Sequence, residues 1–211
     1  CAVALMFDAA RHIARGNCEL RKGRWQNRVG TELAGRTLAV IGCGAIGRRV
    51  AKITKHGFNM RVVGHDIRPV DEPAFDETTT DFAHAVAEAD VVSLHIPDIP
   101  TTRDFVNAER LALLPPDTIL VNTARGGVLD ENALFDAVES GNLAAAALDV
   151  FKAEPYVPQT PGKDLRVLPD ILMTPHIGSS TTEACRRMAQ AALENIRHAE
   201  NGQPENMTLI D

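Results

Sequence analysis

The sequence contains no apolar run of membrane-spanning length, so no transmembrane helix can be read from it. It carries no secretory signal pattern. Its four cysteines, Cys1, Cys18, Cys43 and Cys185, are scattered and form no C-x-x-C pair, which excludes a disulfide or zinc framework and suits a reducing, cytoplasmic setting. There is no block of like charge. The 22 basic and 28 acidic residues give a net charge of −6, which argues against nucleic acid or an anionic membrane as the main partner. Internal repeats and low-complexity tracts are also lacking. What remains is an ordinary globular balance, 45% hydrophobic and 24% charged over 211 residues, enough to bury a substantial core.

One stretch stands out, Leu38-Ala-Val-Ile-Gly42-Cys-Gly44-Ala-Ile-Gly47-Arg48. A strand-like apolar run meets Gly42, Gly44 and Gly47 at G-x-G-x-x-G spacing, and a helix-like run from Ala45 to Lys55 follows at once. The first glycine permits a tight turn, the second lets backbone approach a pyrophosphate, and the third brings helix against strand. A helix N-terminus then offers unpaired N–H groups to the phosphates. The next apolar run, Met60 to Gly64, ends at Asp66, where a carboxylate can accept ribose hydroxyls. A lone glycine triplet also marks ordinary turns. Here strand, glycines, helix, second strand and acid occur in order, and dinucleotide binding is the stronger reading. Asp66 opposes the extra phosphate of NADP and favours NAD, while Arg68 pulls weakly the other way. The plainer reading of Asp66 is a solvated turn acid before Pro69.

Taken in order, the chain opens with a helical period over Ala2–Ala14, with Gly16 as its stop, then a polar loop from Asn17 to Leu33 in which Trp25 reads as a packing anchor. Strand Thr37–Ile41 leads to helix Ala45–His56, and strand Arg61–Gly64 to a loop rich in Pro, Asp and Thr. A short helix near Asp81–Glu88, strand Asp90–Leu94, helix Asn107–Leu114 and strand Thr118–Val121 follow. Helix Glu131–Ser140 and strand Ala145–Leu148 come next. A proline-rich loop from Lys152 to Pro169 then reaches strand Ile171–Met173, and helix Thr181–Asn201 closes the pattern at Gly202. Repeated strand–helix units with apolar strands predict an α/β fold, a parallel sheet covered by helices on both faces. Ligands in such sheets bind at the carboxyl ends of the strands.

Three such ends carry chemistry. Asn122-Thr-Ala-Arg125-Gly126-Gly127 follows one strand, Asp149 to Glu154-Pro155 a second, and Thr174-Pro175-His176-Ile-Gly178 a third. Arg binds a carboxylate through two parallel hydrogen bonds, His moves a proton near neutral pH, and a Glu beside it favours and orients the charged ring. Each has a bland alternative: Arg125 as a capping cation, Glu154 as a turn residue, His176 as a satisfied histidine. The combination is harder to explain that way. His95 reads as structural, and Cys43 has no catalytic case.

The segments Asn122 to Glu131, Asp149 to Pro155 and Thr174 to Ser180, with Gly42 to Gly47, Asp66, and His95-Ile-Pro97 followed by Thr101 and Thr102, resemble the NAD-binding domain of the D-isomer-specific 2-hydroxyacid dehydrogenase family, which includes phosphoglycerate dehydrogenases. The resemblance covers nearly all of the chain. It implies a Rossmann-type doubly wound parallel sheet in three α/β/α layers, and an enzyme moving hydride between NAD and a small 2-hydroxy or 2-oxo acid. It implies that Arg125 holds the substrate's carboxylate and carbonyl, that His176 is the acid/base, and that Glu154 pairs with it. Asp149 would contact the nicotinamide carboxamide. Gly42, Gly44, Ala45, Ile46, Gly47, Asp66, Pro97, Thr102, Thr123, Ala124 and Gly178 would line the cofactor. No metal is implied.

Members of the family usually carry an N-terminal substrate domain of about a hundred residues. This chain begins with Cys and inside the linking helix. Residues 1–180 are therefore expected to form the cofactor domain, and 181–211 to return toward a substrate domain. Alone, the chain is expected to bind NAD but turn over poorly. Relatives commonly form homodimers, and the apolar side of Ala2–Ala14 suits either that contact or plain core. The alternative function is a dinucleotide-sensing, corepressor-like module without turnover.

Overall fold

The computed structural model describes residues 1–207; residues 208–211, the end of the stretch expected to return toward a partner domain, lie outside the described residues. The chain divides into two compact units, Cys1–Pro175 and a second from His176 onward.

The first unit is built on β1 (Thr37–Ile41), β2 (Arg61–His65), β3 (Glu77–Thr79), β4 (Val91–Leu94), β5 (Ile119–Asn122), β6 (Ala145–Leu148) and β7 (Ile171–Met173). They form one seven-stranded sheet in the order β3-β2-β1-β4-β5-β6-β7. Every adjacent pair is parallel; Val40 lies beside Gly64 on one side and Ser93 on the other, and Val121 beside Ala147. This is the doubly wound arrangement, with the order reversing between β1 and β4.

The period-2 alternation of the strands decides the two cores. Leu38, Val40, Val62, Val91 and Val121 face a layer with α1 (Ala2–Arg11) and α3 (Ala45–Phe58), which contributes Leu5, Met6, Val50 and Ala51. Ala39, Ile41, Val92, Leu94 and Leu120 face α4 (Phe82–Val86), α5 (Ala108–Leu111) and α6 (Glu131–Glu139), through Phe82, Leu111 and Leu134. Helices thus cover both faces, as the continuous apolar strands require. The apolar side of α1 is spent on the core: Leu5, Met6 and Ala10 are buried, and Phe7 stacks edge-on to Phe58.

Four local expectations need correction. The first helix does not run to Ala14. It breaks at His12, which sits at φ 53, and a second helix α2 (Ile13–Arg21) starts there. The Asp8 carboxylate accepts the Ala14 N–H at 2.8 Å and caps the new start. Gly16 is not a stop either. Its N–H bonds the His12 carbonyl at 2.8 Å and the helix passes through it, so residues 17–21 are helical rather than loop. Trp25 is not a packing anchor, being 87% exposed. The Pro-, Asp- and Thr-rich loop after β2 contains a strand, β3, three residues long at the sheet edge, where a short strand limits unwanted pairing.

The second unit, described by itself, is mainly α7 (Thr182–Glu200). Thr181 caps it by accepting the Ala184 N–H at 3.1 Å, and Gly202 follows its end at φ 66. No helix among the described residues is long and apolar enough to cross a membrane.

Candidate functional site

The turn after β1 is shaped by its glycines. Gly42 has φ 100, and a Cβ there would lie 2.5 Å from the His95 carbonyl oxygen, so only glycine lets the ends of β1 and β4 approach. At Gly47 a Cβ would meet the Gly42 carbonyl oxygen at 2.1 Å, which is how the start of α3 lies against its strand. Gly44, the N-cap of α3, differs: a Cβ built there meets none of the described residues within 4 Å. Among the described residues no side chain caps α3, and its first turn holds no acid. Ala45 and Ile46 are exposed around this opening, Ile46 by 67%. The helix end therefore presents N–H groups to open space, the arrangement an anionic phosphate fits.

Asp66 stands directly after β2. One of its oxygens accepts the Cys43 N–H at 2.9 Å, which ties the acid to the glycine turn. Cys43 is buried under the turn, and burial together with the Asp66 charge pushes its thiol up to about 11, so it stays protonated and is no nucleophile. His95, after β4, bonds Ser93 Oγ at 2.9 Å; burial draws its pKa down to about 4 and keeps the ring neutral. That suits a structural rather than a catalytic histidine. Beyond it, Pro97 is exposed, and the Thr102 hydroxyl accepts the Ile99 N–H at 3.0 Å and closes the loop that holds Pro97.

After β5 the backbone is organised by Asn122, which is fully buried. Its Nδ2 donates to the Arg125 carbonyl at 2.9 Å, and its Oδ1 accepts the Ala124 N–H at 3.0 Å. Thr123 and Ala124 are half-buried in the resulting turn, and Arg125 is exposed, with Nη1 donating to the Ala124 carbonyl at 2.6 Å. After β6, Asp149 is 1% exposed and accepts from the Thr174 hydroxyl. Glu154 is exposed, and its Oε1 accepts the Phe151 N–H at 3.0 Å. Arg125, Asp149 and Glu154 thus stand on the carboxyl ends of two adjacent strands of the first unit. His176 opens the second unit, exposed and at φ 53, with Gly178 exposed two residues later.

Sequence reasoning missed two supporting residues. Asn122 carried a signal, a polar residue closing an apolar strand just before a turn. Glu131 ends the segment that carries the family resemblance but is given no role by it, because an acid in the first turn of a helix is commonplace.

Comparison with known proteins agrees with this architecture. The model of the D-isomer specific 2-hydroxyacid dehydrogenase NAD binding domain matches residues 3–178, and the chain belongs to that family. Hydroxypyruvate reductase from Thermotoga maritima is 42% identical over 202 residues, 92% of this chain and 63% of that protein. D-3-phosphoglycerate dehydrogenase from Methanocaldococcus jannaschii is 38% identical over 206 residues, 95% of this chain and 38% of the relative. The crystal structure of D-lactate dehydrogenase with NAD+ from Lactobacillus jensenii superposes with a TM-score of 0.84 at 28% identity, covering 100% of this chain and 67% of that one. The chain spans less than two thirds of the length of these two curated relatives.

Proposed function

We propose that the chain is the cofactor-binding part of an NAD-dependent D-2-hydroxyacid dehydrogenase, interconverting a 2-hydroxy acid and its 2-oxo acid. The observation that carries this reading is positional. Arg125 and Glu154 follow the neighbouring strands β5 and β6 of the first unit, and along the chain His176 comes three positions after the end of β7.

The residues fit NAD. The open space at Gly44 and the free end of α3 suit the pyrophosphate, and Asp66 suits the ribose hydroxyls. Gly42, Ala45, Ile46, Gly47, Pro97, Thr102, Thr123, Ala124 and Gly178 would complete the lining, with Asp149 at the carboxamide. When bound, the nicotinamide supplies the acceptor or donor of the hydride. Arg125 would hold the substrate carboxylate in a bidentate grip and stabilise charge on the reacting oxygen. His176 would take the hydroxyl proton in oxidation and return it in reduction. Glu154 would keep that imidazole charged and oriented.

In the same reading, residues 1–180 form the cofactor domain, and 181–211 return toward a substrate domain. The four free thiols suit the cytoplasm. A homodimer is also proposed. Because α1 is committed to the core, the surface would come from Leu20, Trp25 and Val29, exposed by 57%, 87% and 95%; light scattering at micromolar concentration tests it.

The deciding experiment is NADH oxidation by the complete protein across a set of 2-oxo acids. His176→Ala should cut turnover by roughly 10²- to 10⁴-fold while leaving NADH affinity nearly unchanged. Equal loss of binding and turnover overturns the assignment.

A further inference from the structure

Glu131 is 4% exposed at the start of α6, and neither its helix nor the site chemistry explains its burial. The cap of α6 is the preceding residue, Asp130, whose Oδ1 accepts the Asn132 and Ala133 N–H groups. Glu131 reaches away from its helix. Its Oε1 accepts the Lys152 N–H at 2.6 Å, 21 positions along the chain, while its Oε2 has no hydrogen-bond partner among the described residues. Burial pushes the carboxyl up from the usual range, opposed by the Lys152 N–H and ammonium and reinforced by Asp130 and Asp104. A buried carboxyl left half-satisfied is costly to keep.

What it holds is the loop of Glu154. Phe151, whose N–H bonds Glu154 Oε1, immediately precedes Lys152. The same backbone presses on the turn of Arg125: a Cβ at Gly126 would lie 1.9 Å from the Phe151 carbonyl carbon. The Lys152 ammonium pairs with Asp104, whose N–H bonds the Gly127 carbonyl at 2.8 Å. The loops after β4, β5 and β6 are therefore interlocked, and Glu131 fastens the last of them.

We propose that Glu131 is a positioning residue. Its buried carboxyl fixes the Lys152 backbone and so sets where the Glu154 carboxylate stands beside the Arg125 turn. The inference rests on the reading above, in which Arg125 and Glu154 serve catalysis. Without the clamp Glu154 drifts from its station, and the role proposed for it above weakens. A small displacement of such a group is enough to cost a large factor in rate.

The test compares Glu131→Ala, Glu131→Asp and Glu131→Gln in the complete protein, by kcat/KM for a 2-oxo acid against pH, by NADH binding, and by amide hydrogen exchange of residues 151–155. The Ala and Asp variants should lose about ten- to a hundredfold in kcat/KM. They should shift the limb of the pH profile that reports the histidine to lower pH, and speed exchange in the loop by about tenfold, the equivalent of one lost hydrogen bond. NADH affinity should hold. Glu131→Gln keeps an oxygen acceptor and should restore loop protection and profile toward wild type. An unmoved profile with unchanged exchange in a folded Ala or Asp variant overturns the proposal, and so does a Gln variant as impaired as Ala. If the wild type turns over no 2-oxo acid, the dehydrogenase reading falls, and the exchange measurement alone then decides for or against the clamp.

Discussion

Two helices of this protein start beside strand-end glycines, and they use them in opposite ways. At α3 the glycine turn leaves space: among the described residues a Cβ at Gly44 would meet nothing within 4 Å, and no side chain caps the helix. At α6 the protein closes its own helix end with Asp130, and the nearby Gly126 and Gly127 serve contact rather than vacancy. A Cβ at Gly127 would lie 2.2 Å from an Asp98 carboxylate oxygen. Glycine marks both places in the sequence, but one leaves open space at a helix end and the other is a joint between loops.

The difference can be broken at several points. Gly126→Ala should have the largest effect, because the clash is with backbone that cannot swing aside. We expect a loss of about 3 kcal/mol or more, read as a lower urea midpoint, or failure to fold. A variant of wild-type stability would refute the joint.

Acid should separate the two regions next. On the α3 side, burial holds His95 neutral, with its pKa drawn from 6.5 to about 4. The unfolded chain therefore binds more protons than the folded one between those values. Stability is present above about pH 6.5 and is lost as pH falls toward 4, by about 3 kcal/mol at most. His65, whose pKa burial also lowers, adds in the same direction. Glu131 on the α6 side has the opposite sign. Its raised pKa contributes stability below the unfolded value, 4.5, and loses it as pH rises through the folded value. Urea unfolding between pH 7 and 4 should show the histidine slope, and His95→Asn should flatten it.

Gly44→Ala should spare the fold and strike the ligand. With φ −72 and open space around it, alanine should cost under about 1 kcal/mol of stability. NADH affinity should fall by about tenfold or more, since the methyl enters the space proposed for phosphate. Equal loss of stability and affinity would deny that the space is a ligand's. Asp130→Ala is the mirror case and the smallest. Loss of this cap should lower stability by about 1 kcal/mol and leave NADH binding where it was; calorimetry on both variants makes the contrast.

Much of this was readable before any coordinates. The Gly42–Gly47 spacing between an apolar strand and a helix, and Asp66 after the next strand, depend only on local order, and they fell where expected. So did six of the strands, whose apolar residues are consecutive because both faces of the sheet are covered. The edge strand β3 escaped because its residues are half-buried and polar, lacking that signal. The break at His12 escaped because the apolar period continues across it, while a left-handed residue and the Asp8 cap reset the helix. Glu131 escaped because its importance lies in what it touches, whereas Asn122, a polar residue closing an apolar strand before a turn, carried a local signal.

The sequence by itself determined the alternation of strands and helices, the glycine turn and the chemical types at the strand ends, because these follow from the spacing of neighbours along the chain. Only the tertiary structure decided which strand ends lie side by side, which glycine is vacant and which is crowded, and that a buried carboxyl on α6 fastens a loop 21 residues away. Such pairings are fixed by the order of strands in the sheet and by close packing, and no local pattern encodes them.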